Sequence, residues 1–471
     1  MSATLETSTD GALAPLERLE RLCDPGSLRP FRSEVASRAE RTNVPGDGVV
    51  TAAGTLGGRP VFCYSQDRSV LGGSLGESQA ESIVRLLRMA GDAGAPVVGF
   101  VESAGARVDE GTAGLGGYGR IFSEHVKLAG KVPQVTVITG TSAGGGSYSP
   151  ALTDFVVMTE SSSMFLTGPG VVEEVTGEAV SKEELGGPRV HSRNGVCHLT
   201  ARDDEEAVEV VRDLLAHLPP SGGRRPVREP AAAPEPGDPS ESVPEEARKV
   251  YDVRDVARRL ADGGRLLEVS PRWARNMVTA FVRIDGRAVG LIANQPRYLG
   301  GVIDAAAAEK ASGFVNRCSS FGLPLVVLVD TPGFLPGTRQ EGAGVIRHGA
   351  GLLRAFASAE VPRVTVVLRK AYGGGFITMN AKDLGADLVL AWPGAEIGVV
   401  GPRQAVGLVH RGAIRDAEDP EHERDRLADL YAREHTTAAV AAQGGDVDEI
   451  VPPAETRERL AWALTVLGER P

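Results

Sequence analysis

Val132-Pro-Gln-Val-Thr-Val-Ile-Thr-Gly-Thr-Ser-Ala-Gly-Gly-Gly146 is an apolar, strand-like run that ends in three glycines, and the chain writes it twice. Its second version, Val361-Pro-Arg-Val-Thr-Val-Val-Leu-Arg-Lys-Ala-Tyr-Gly-Gly-Gly375, lies 229 residues further on. Upstream, Val97-Val-Gly-Phe-Val-Glu102 is matched by Leu325-Val-Val-Leu-Val-Asp330 at an offset of 228; downstream, Asp154-Phe-Val-Val-Met158 is matched by Asp387-Leu-Val-Leu-Ala391 and Gly168-Pro169 by Gly401-Pro402, both at 233. Blocks that keep their order while the offset drifts by a few residues are what loop insertions leave between duplicated domains. Short buried strands alternate with helical stretches, Gln79 to Met89 in one copy and Val345 to Ala357 in the other. That pattern argues for α/β lobes built of βα units on a parallel sheet with right-handed crossovers, and it implies two pseudo-equivalent sites per chain.

The copies are separated by a stretch that cannot be strand ladder or helix interior. Eight prolines fall between Pro219 and Pro244, among Gly, Ser, Glu and Arg, which predicts a partly extended linker over 219–248 between lobes 1–218 and 249–471. Three- and four-residue apolar spacing predicts further helices over Asp252 to Leu260 and Glu455 to Leu467.

Composition narrows the function classes. With 42% hydrophobic residues and a formal net charge of −11 over 471 residues, the chain is globular and offers nucleic acid or an anionic membrane no electrostatic attraction. Glycine stands out: 59 residues, about one in eight, against a usual ~7%. Without a Gly-X-Y period this is not collagen, and its dispersal among apolar runs is not low-complexity disorder. Cys23, Cys63, Cys197 and Cys318 are far apart in sequence with no CxxC, so neither a zinc ribbon nor a disulfide framework is expected and no metal is assigned. The N-terminus lacks a basic start followed by an apolar stretch, and the longest apolar runs are far short of ~20 residues, so a cytoplasmic protein is expected.

The glycine turns are the places where chemistry can be built. Three glycines after a strand let a ligand approach bare backbone, and the free N–H groups of a helix start can converge on an anion or developing oxyanion. Tight helix–strand packing would ask for glycine as well, but recurrence in both lobes weakens that plainer reading. Two other motifs are false leads. Gly140-Thr-Ser-Ala-Gly144 fits the nucleophile elbow of a serine hydrolase, with His191 or His198 and Asp154 as partners, yet the second copy has Ala371 in place of Ser142. Gly114-Leu-Gly-Gly-Tyr-Gly119 satisfies GxGxxG but follows a polar stretch where a dinucleotide site needs a strand. His348 reads as a helix residue ahead of a general base. The segments Glu102-Ser103-Ala104-Gly105-Ala106-Arg107 and Asp330-Thr-Pro-Gly-Phe334-Leu-Pro-Gly337 read as matching pocket-lining loops, with Arg107 available to a phosphate or to a structural carboxylate.

Together with Ser142-Ala-Gly-Gly-Gly-Ser-Tyr-Ser-Pro-Ala151, Phe165-Leu-Thr-Gly-Pro169, Ala293-Asn-Gln-Pro296 and Arg369-Lys-Ala-Tyr-Gly-Gly374, these segments resemble the carboxyltransferase (β) subunits of biotin-dependent acyl-CoA carboxylases, acetyl- and propionyl-CoA carboxylase β chains above all. The resemblance runs from about Leu22 to about Ile450. It implies duplicated crotonase-like ββα superhelix domains, assembled as a hexamer with active sites between the N-lobe of one subunit and the C-lobe of another. It further implies that Gly144 and Gly145 supply the oxyanion donors for the acyl-CoA thioester and Gly374 and Gly375 those for the ureido carbonyl of carboxybiotin. Carboxybiotin would release CO2 and take the α-proton, so the chain needs no base of its own at the turns. Tyr148 and Ile377 would line the acyl pocket.

Departures from the family pattern bear on substrate and partner. Glu102-Ser-Ala stands where Asp-Ser-Gly is usual, Thr141-Ser142 where Pro-Cys is common, and Ile377 where propionyl-type enzymes carry Asp, which points to an apolar pocket floor and another acyl chain. No Met-Lys-Met biotinylation motif and no ATP-binding domain is recognisable, so carboxylation would need a biotin carboxylase and biotin-carrier α subunit as partner. Three functions remain on the table: the carboxyltransferase, a biotin-independent acyl-CoA decarboxylase or repurposed relative, and a non-catalytic scaffold, the last of which would not need the two intact turns.

Overall fold

The structure is a computed structural model, which describes residues 12–37, 44–222, 226–246 and 249–468. The chain divides into two units, Met1–Pro226 and Val227–Pro471. Each contains one eight-stranded sheet.

In unit 1 the strands are β1 (Arg29–Phe31), β2 (Val49–Leu56), β3 (Arg59–Gln66), β4 (Val97–Ser103), β5 (Gln134–Ala143), β6 (Phe155–Thr159), β7 (Ser163–Phe165) and β8 (Leu199–Ala201). Their order is β1-β2-β3-β4-β5-β6-β8, with β7 against the far end of β5. Unit 2 repeats the plan with β9 (Leu267–Glu268), β10 (Met277–Ile284), β11 (Arg287–Asn294), β12 (Leu325–Thr331), β13 (Arg363–Tyr372), β14 (Leu388–Ala391), β15 (Glu396–Gly398) and β16 (Glu449–Ile450). There the order is β16-β14-β13-β12-β11-β10-β9, and β15 pairs with β13. The duplication is therefore structural as well as sequential.

Both sheets are mixed, which amends the parallel sheet expected from the βα alternation. From β3 and from β11 onward the pairs are parallel, but β1, β2 and β3, like β9, β10 and β11, pair antiparallel. The cause is local: β2 turns into β3 through Gly57-Gly58 and β10 into β11 through Asp285-Gly286, all at positive φ, the two-residue turns that match strand twist.

The helices that position the sites are α1 (Glu77–Ala93), α2 (Thr112–Leu128) and α3 (Gly145–Ala151) in unit 1, and α4 (Ala305–Ser320), α5 (Val345–Ala357) and α6 (Gly373–Thr378) in unit 2. The helix expected over Gln79 to Met89 extends to Gly94, whose left-handed backbone closes it, and the one expected over Val345 to Ala357 is found with those limits. Asp252 caps the helix Val253–Leu260 by accepting from Arg254 N, and the last helix spans Thr456–Leu467. In unit 1, Ile83, Leu86, Leu87, Val97 and Ile121 pack one core cluster; in unit 2, Val278, Leu291, Val326, Leu328 and Val366 pack another, all buried. All four cysteines are free and buried, and Cys23 and Cys63, distant in sequence, are joined by a thiol hydrogen bond.

The described parts of the proline-rich stretch are each hydrogen-bonded within their own unit. Before its midpoint, Gly222 N donates to Lys131 O at 2.7 Å in unit 1. Beyond it, Glu229 N donates to Gly286 O at 2.9 Å, and Arg369 Nη1 donates to the carbonyls of Pro244, Glu246 and Lys249 at 3.3, 3.1 and 2.9 Å. Proline removes donors but leaves carbonyls, and arginine is the side chain suited to collecting them.

Candidate active site

In unit 1, β5 leaves the sheet at Ala143 and turns through Gly144, at φ +58°, into α3. The Gly144 amide donates to Phe165 O at 3.1 Å, because β7 lies parallel to the end of β5. Gly145 and Gly146 then occupy the first two positions of α3, whose amides have no partner within a helix. Gly144, expected as a donor with Gly145, thus makes the turn and spends its amide on Phe165, while half-buried Gly145 and buried Gly146 open the helix behind it.

The loop Ser103-Ala104-Gly105-Ala106-Arg107 forms the facing wall. A register shift between Val101 and Ser103 in the β4–β5 pairing lifts it out of the sheet. Glu102, at the shift, is buried and paired with Arg18 Nη2 at 3.4 Å, while Arg18 Nε holds Asp204 Oδ2 at 2.8 Å. Ala104 N donates to Gly72 O and Leu75 N to Gly105 O, at 3.1 and 2.8 Å. Arg107 takes the second of its two possible roles. It is buried, with Nη1 on Asp47 Oδ1 at 2.7 Å and on Glu110 Oε1 at 3.0 Å, and Nε donating to Ser74 O. No guanidinium face is left for a phosphate.

Unit 2 repeats this arrangement. Gly373, at φ +56°, makes the turn, and exposed Gly374 and buried Gly375 follow it at the start of α6, so the pairs 145/146 and 374/375 are equivalent at the 229-residue offset. A register shift between Val329 and Thr331 frees the loop that carries Phe334. Buried Asp330 holds Arg369 Nε at 3.0 Å and Lys370 Nζ at 3.7 Å. Tyr148 on α3 and Ile377 on α6 are both about half exposed, beside their own glycines.

The false leads resolve as packing. Ser142 Oγ is buried with no hydrogen-bond partner, His191 Nε2 bonds Met164 O at 2.6 Å, His198 Nδ1 accepts from Val156 N, and Asp154 Oδ2 accepts from Gln134 N. The Gly114–Gly119 run lies inside α2, where Gly114 and Gly117 bring the helix against Leu75 and Ala80. His348 sits 3.6 Å from Glu309.

Two features of the site escaped the sequence reading. Leu71-Gly72-Gly73 and Leu299-Gly300-Gly301 are turns in left-handed conformation that press on the strand ends: a Cβ at Gly73 would lie 2.0 Å from Glu102 O, and one at Gly301 2.4 Å from Asp330 O. Their 228-residue spacing was available as a signal. The other is Tyr118, whose ring lies under Gly145; nothing in its sequence neighbourhood marks it.

Among the described residues no cluster of three or more His, Cys, Asp or Glu could hold a metal, and no helix is long and apolar enough to cross a membrane. Comparison with known proteins supplies the family. The carboxyl transferase domain family matches residues 6–471. The methylmalonyl-CoA carboxyltransferase 12S subunit of Propionibacterium freudenreichii subsp. shermanii is 45% identical over 98% of this chain and 90% of its own, and the propionyl-CoA carboxylase carboxyltransferase subunit of Haloferax mediterranei 44% identical over 98% and 91%. A methylmalonyl-CoA decarboxylase α subunit from Veillonella parvula is 42% identical over 98% and 91%. A transcarboxylase 12S crystal structure, described as a hexamer assembly with methylmalonyl-CoA and methylmalonic acid bound, superposes with a TM-score of 0.95 at 45% identity, covering 98% of this chain and 91% of its own. The duplicated fold, the two glycine turns and this whole-length similarity make the chain a member of the carboxyl transferase family, an acyl-CoA carboxylase carboxyltransferase subunit of the biotin-dependent type.

Proposed function

We propose that the chain transfers a carboxyl group between carboxybiotin, carried by a biotin-bearing α subunit, and the α-carbon of an acyl-CoA. The observation that carries this reading is the pair of equivalent glycine couples, Gly145/Gly146 and Gly374/Gly375, at the starts of α3 and α6, where first-turn amides have no partner within the helix. A thioester carbonyl set against the first couple gains two donors as it becomes an enolate; the second couple suits a ureido carbonyl, whose charge grows as CO2 leaves. Loss of one such donor costs about 10²–10³ in rate. Bound carboxybiotin supplies the CO2 and the base. Gly374 fits that role by its openness: a Cβ there would find nothing closer than the Phe334 ring, at 3.9 Å.

The chain's own residues bind and orient. Ser103, Ala104, Gly105 and Ala106 wall the first site, Phe334 walls the second, and Arg107 acts only by fixing the first wall to Asp47 and Glu110. Tyr148 and Ile377 line the acyl pocket. A hexamer, as in the 12S relative, would bring unit 1 of one copy to unit 2 of another. The cytoplasm is the proposed location.

The decarboxylase named among the relatives supports a second reading, loss of CO2 with no acceptor. Incubating the purified chain with malonyl-CoA or methylmalonyl-CoA, with and without free biotin, separates the two. Carboxylation of biotin at catalytic rates is expected; CO2 release of equal rate without biotin would instead establish the decarboxylase.

A further inference from the structure

Tyr118 on α2 touches both walls of the unit 1 site. Its hydroxyl lies 2.8 Å from Ser103 Oγ, which also accepts from Gly105 N at 3.3 Å. Its ring lies so close beneath the glycine turn that a Cβ on Gly145 would come within 2.6 Å of it, and one on Gly146 within 3.3 Å of its hydroxyl. The ring is itself fixed. Gly117 lets α2 press onto Ala80 of α1, and Phe122 stacks beside Tyr118 at 5.8 Å and meets Tyr148 edge-on at 6.2 Å. Burial pushes the phenol up to about 12, so it stays protonated and keeps its hydrogen bond throughout the neutral range.

Unit 2 builds the same support differently. The loop residue equivalent to Ala106 is Phe334, as the matching bridges Leu75–Ala106 and Ile303–Phe334 show. The Phe334 ring approaches Gly374 from the loop and rests on Gly349 of α5, where a Cβ would meet it at 3.1 Å. An aromatic ring thus backs the middle glycine in both units, but only in unit 1 does it carry a hydroxyl tied to the opposite wall.

We propose that Tyr118 is the positioning residue of the unit 1 site, its ring setting the place of the Gly145 and Gly146 amides and its hydroxyl locking the Ser103–Ala106 wall to them. This rests on the reading of unit 1 as the thioester site. The tether converts two separate loops into one rigid cradle, so that the donors meet the enolate without first reorganising.

Tyr118→Phe keeps the ring and removes the tether; Ser103→Ala removes it from the other side. In the full-length protein, hydrogen exchange followed by mass spectrometry should show segments 103–107 and 144–149 both exchanging several-fold faster in Tyr118→Phe, with 331–337 and 373–378 unchanged. The kcat for biotin carboxylation from methylmalonyl-CoA should fall about tenfold while KM for the acyl-CoA stays within about twofold, and the double variant should be no worse than the poorer single one. If neither segment loosens, if only one does, or if both loosen without loss of kcat in an active enzyme, the proposal is wrong. A wild-type chain without carboxyl transfer would overturn the functional reading instead, and the exchange data would still decide the tether.

Discussion

Gly145 and Gly374 hold equivalent places, yet a methyl group would meet different surroundings at each. At Gly145 it would strike the Tyr118 ring at 2.6 Å, so Gly145→Val would have to displace a buried aromatic and lower stability as well as activity. At Gly374 only Phe334 is near, at 3.9 Å. Gly374→Val should therefore leave the melting temperature within a few degrees while reducing turnover at least about 100-fold; turnover within tenfold of wild type would remove Gly374 from the site. Ile377, half exposed and apolar, makes a second residue-scale prediction. Across an acyl-CoA series, Ile377→Asp should lower kcat/KM for the longest chain accepted by about tenfold or more relative to the shortest, since each buried CH2 is worth ~0.8 kcal/mol. An unchanged profile would show that this side chain does not meet the acyl group. The glycine turns were legible in the sequence because they sit in a repeated block, whereas Ile377 entered only through the family resemblance. Tyr118 was not, because its role comes from a ring placed by helix packing.

At the scale of elements, strand ends carry the site and ion pairs hold them. Glu102 and Asp330 end equivalent strands and each meets an arginine, but Arg18 comes from the helix at Pro15–Leu22, 84 residues upstream, whereas Arg369 comes from the neighbouring strand β13. Arg369 also gathers three carbonyls of the stretch 244–249. Arg369→Ala would leave buried Asp330 with the longer 3.7 Å pairing to Lys370 and release the carbonyls of Pro244, Glu246 and Lys249, with a loss of at most about 3–5 kcal/mol. Denaturant unfolding should show it, and limited proteolysis should cut 244–249 faster; Arg369→Lys should not restore protection, because an ammonium cannot reach the carboxylate and the carbonyls together. Equal protection in all three proteins would refute the strap. Sequence periodicity located the strands and helices to within a few residues. It could not show that proline-rich chain is pinned down, because the pins are arginine contacts from 120 residues away and more.

For the whole molecule, two buried bases contribute a rise of stability with pH. Lys310 on α4 donates to Trp273 O and Met277 O, and burial lowers its pKa to about 7 from an ordinary 10.5; burial also lowers that of His125, whose Nδ1 bonds Gln134. In both cases the unfolded chain binds the proton that the folded chain refuses, so stability rises with pH, from about 7 towards 10.5 for Lys310, and falls below about 6.5 for His125. The melting temperature should climb between pH 7 and 9, and Lys310→Met should flatten that climb; an undiminished climb would refute the assignment to Lys310. The sequence by itself determined the duplication, the βα order, the linker composition and the two glycine turns, because these are written in residue type and spacing along the chain. Tertiary structure alone decided that Gly144 spends its amide on Phe165, that Arg107 serves Asp47 and leaves phosphate alone, and that Tyr118 and Phe334 back the two sites from different elements. Each of those outcomes depends on which groups lie within hydrogen-bonding or van der Waals reach, and for chain segments tens of residues apart only the packed fold sets that distance.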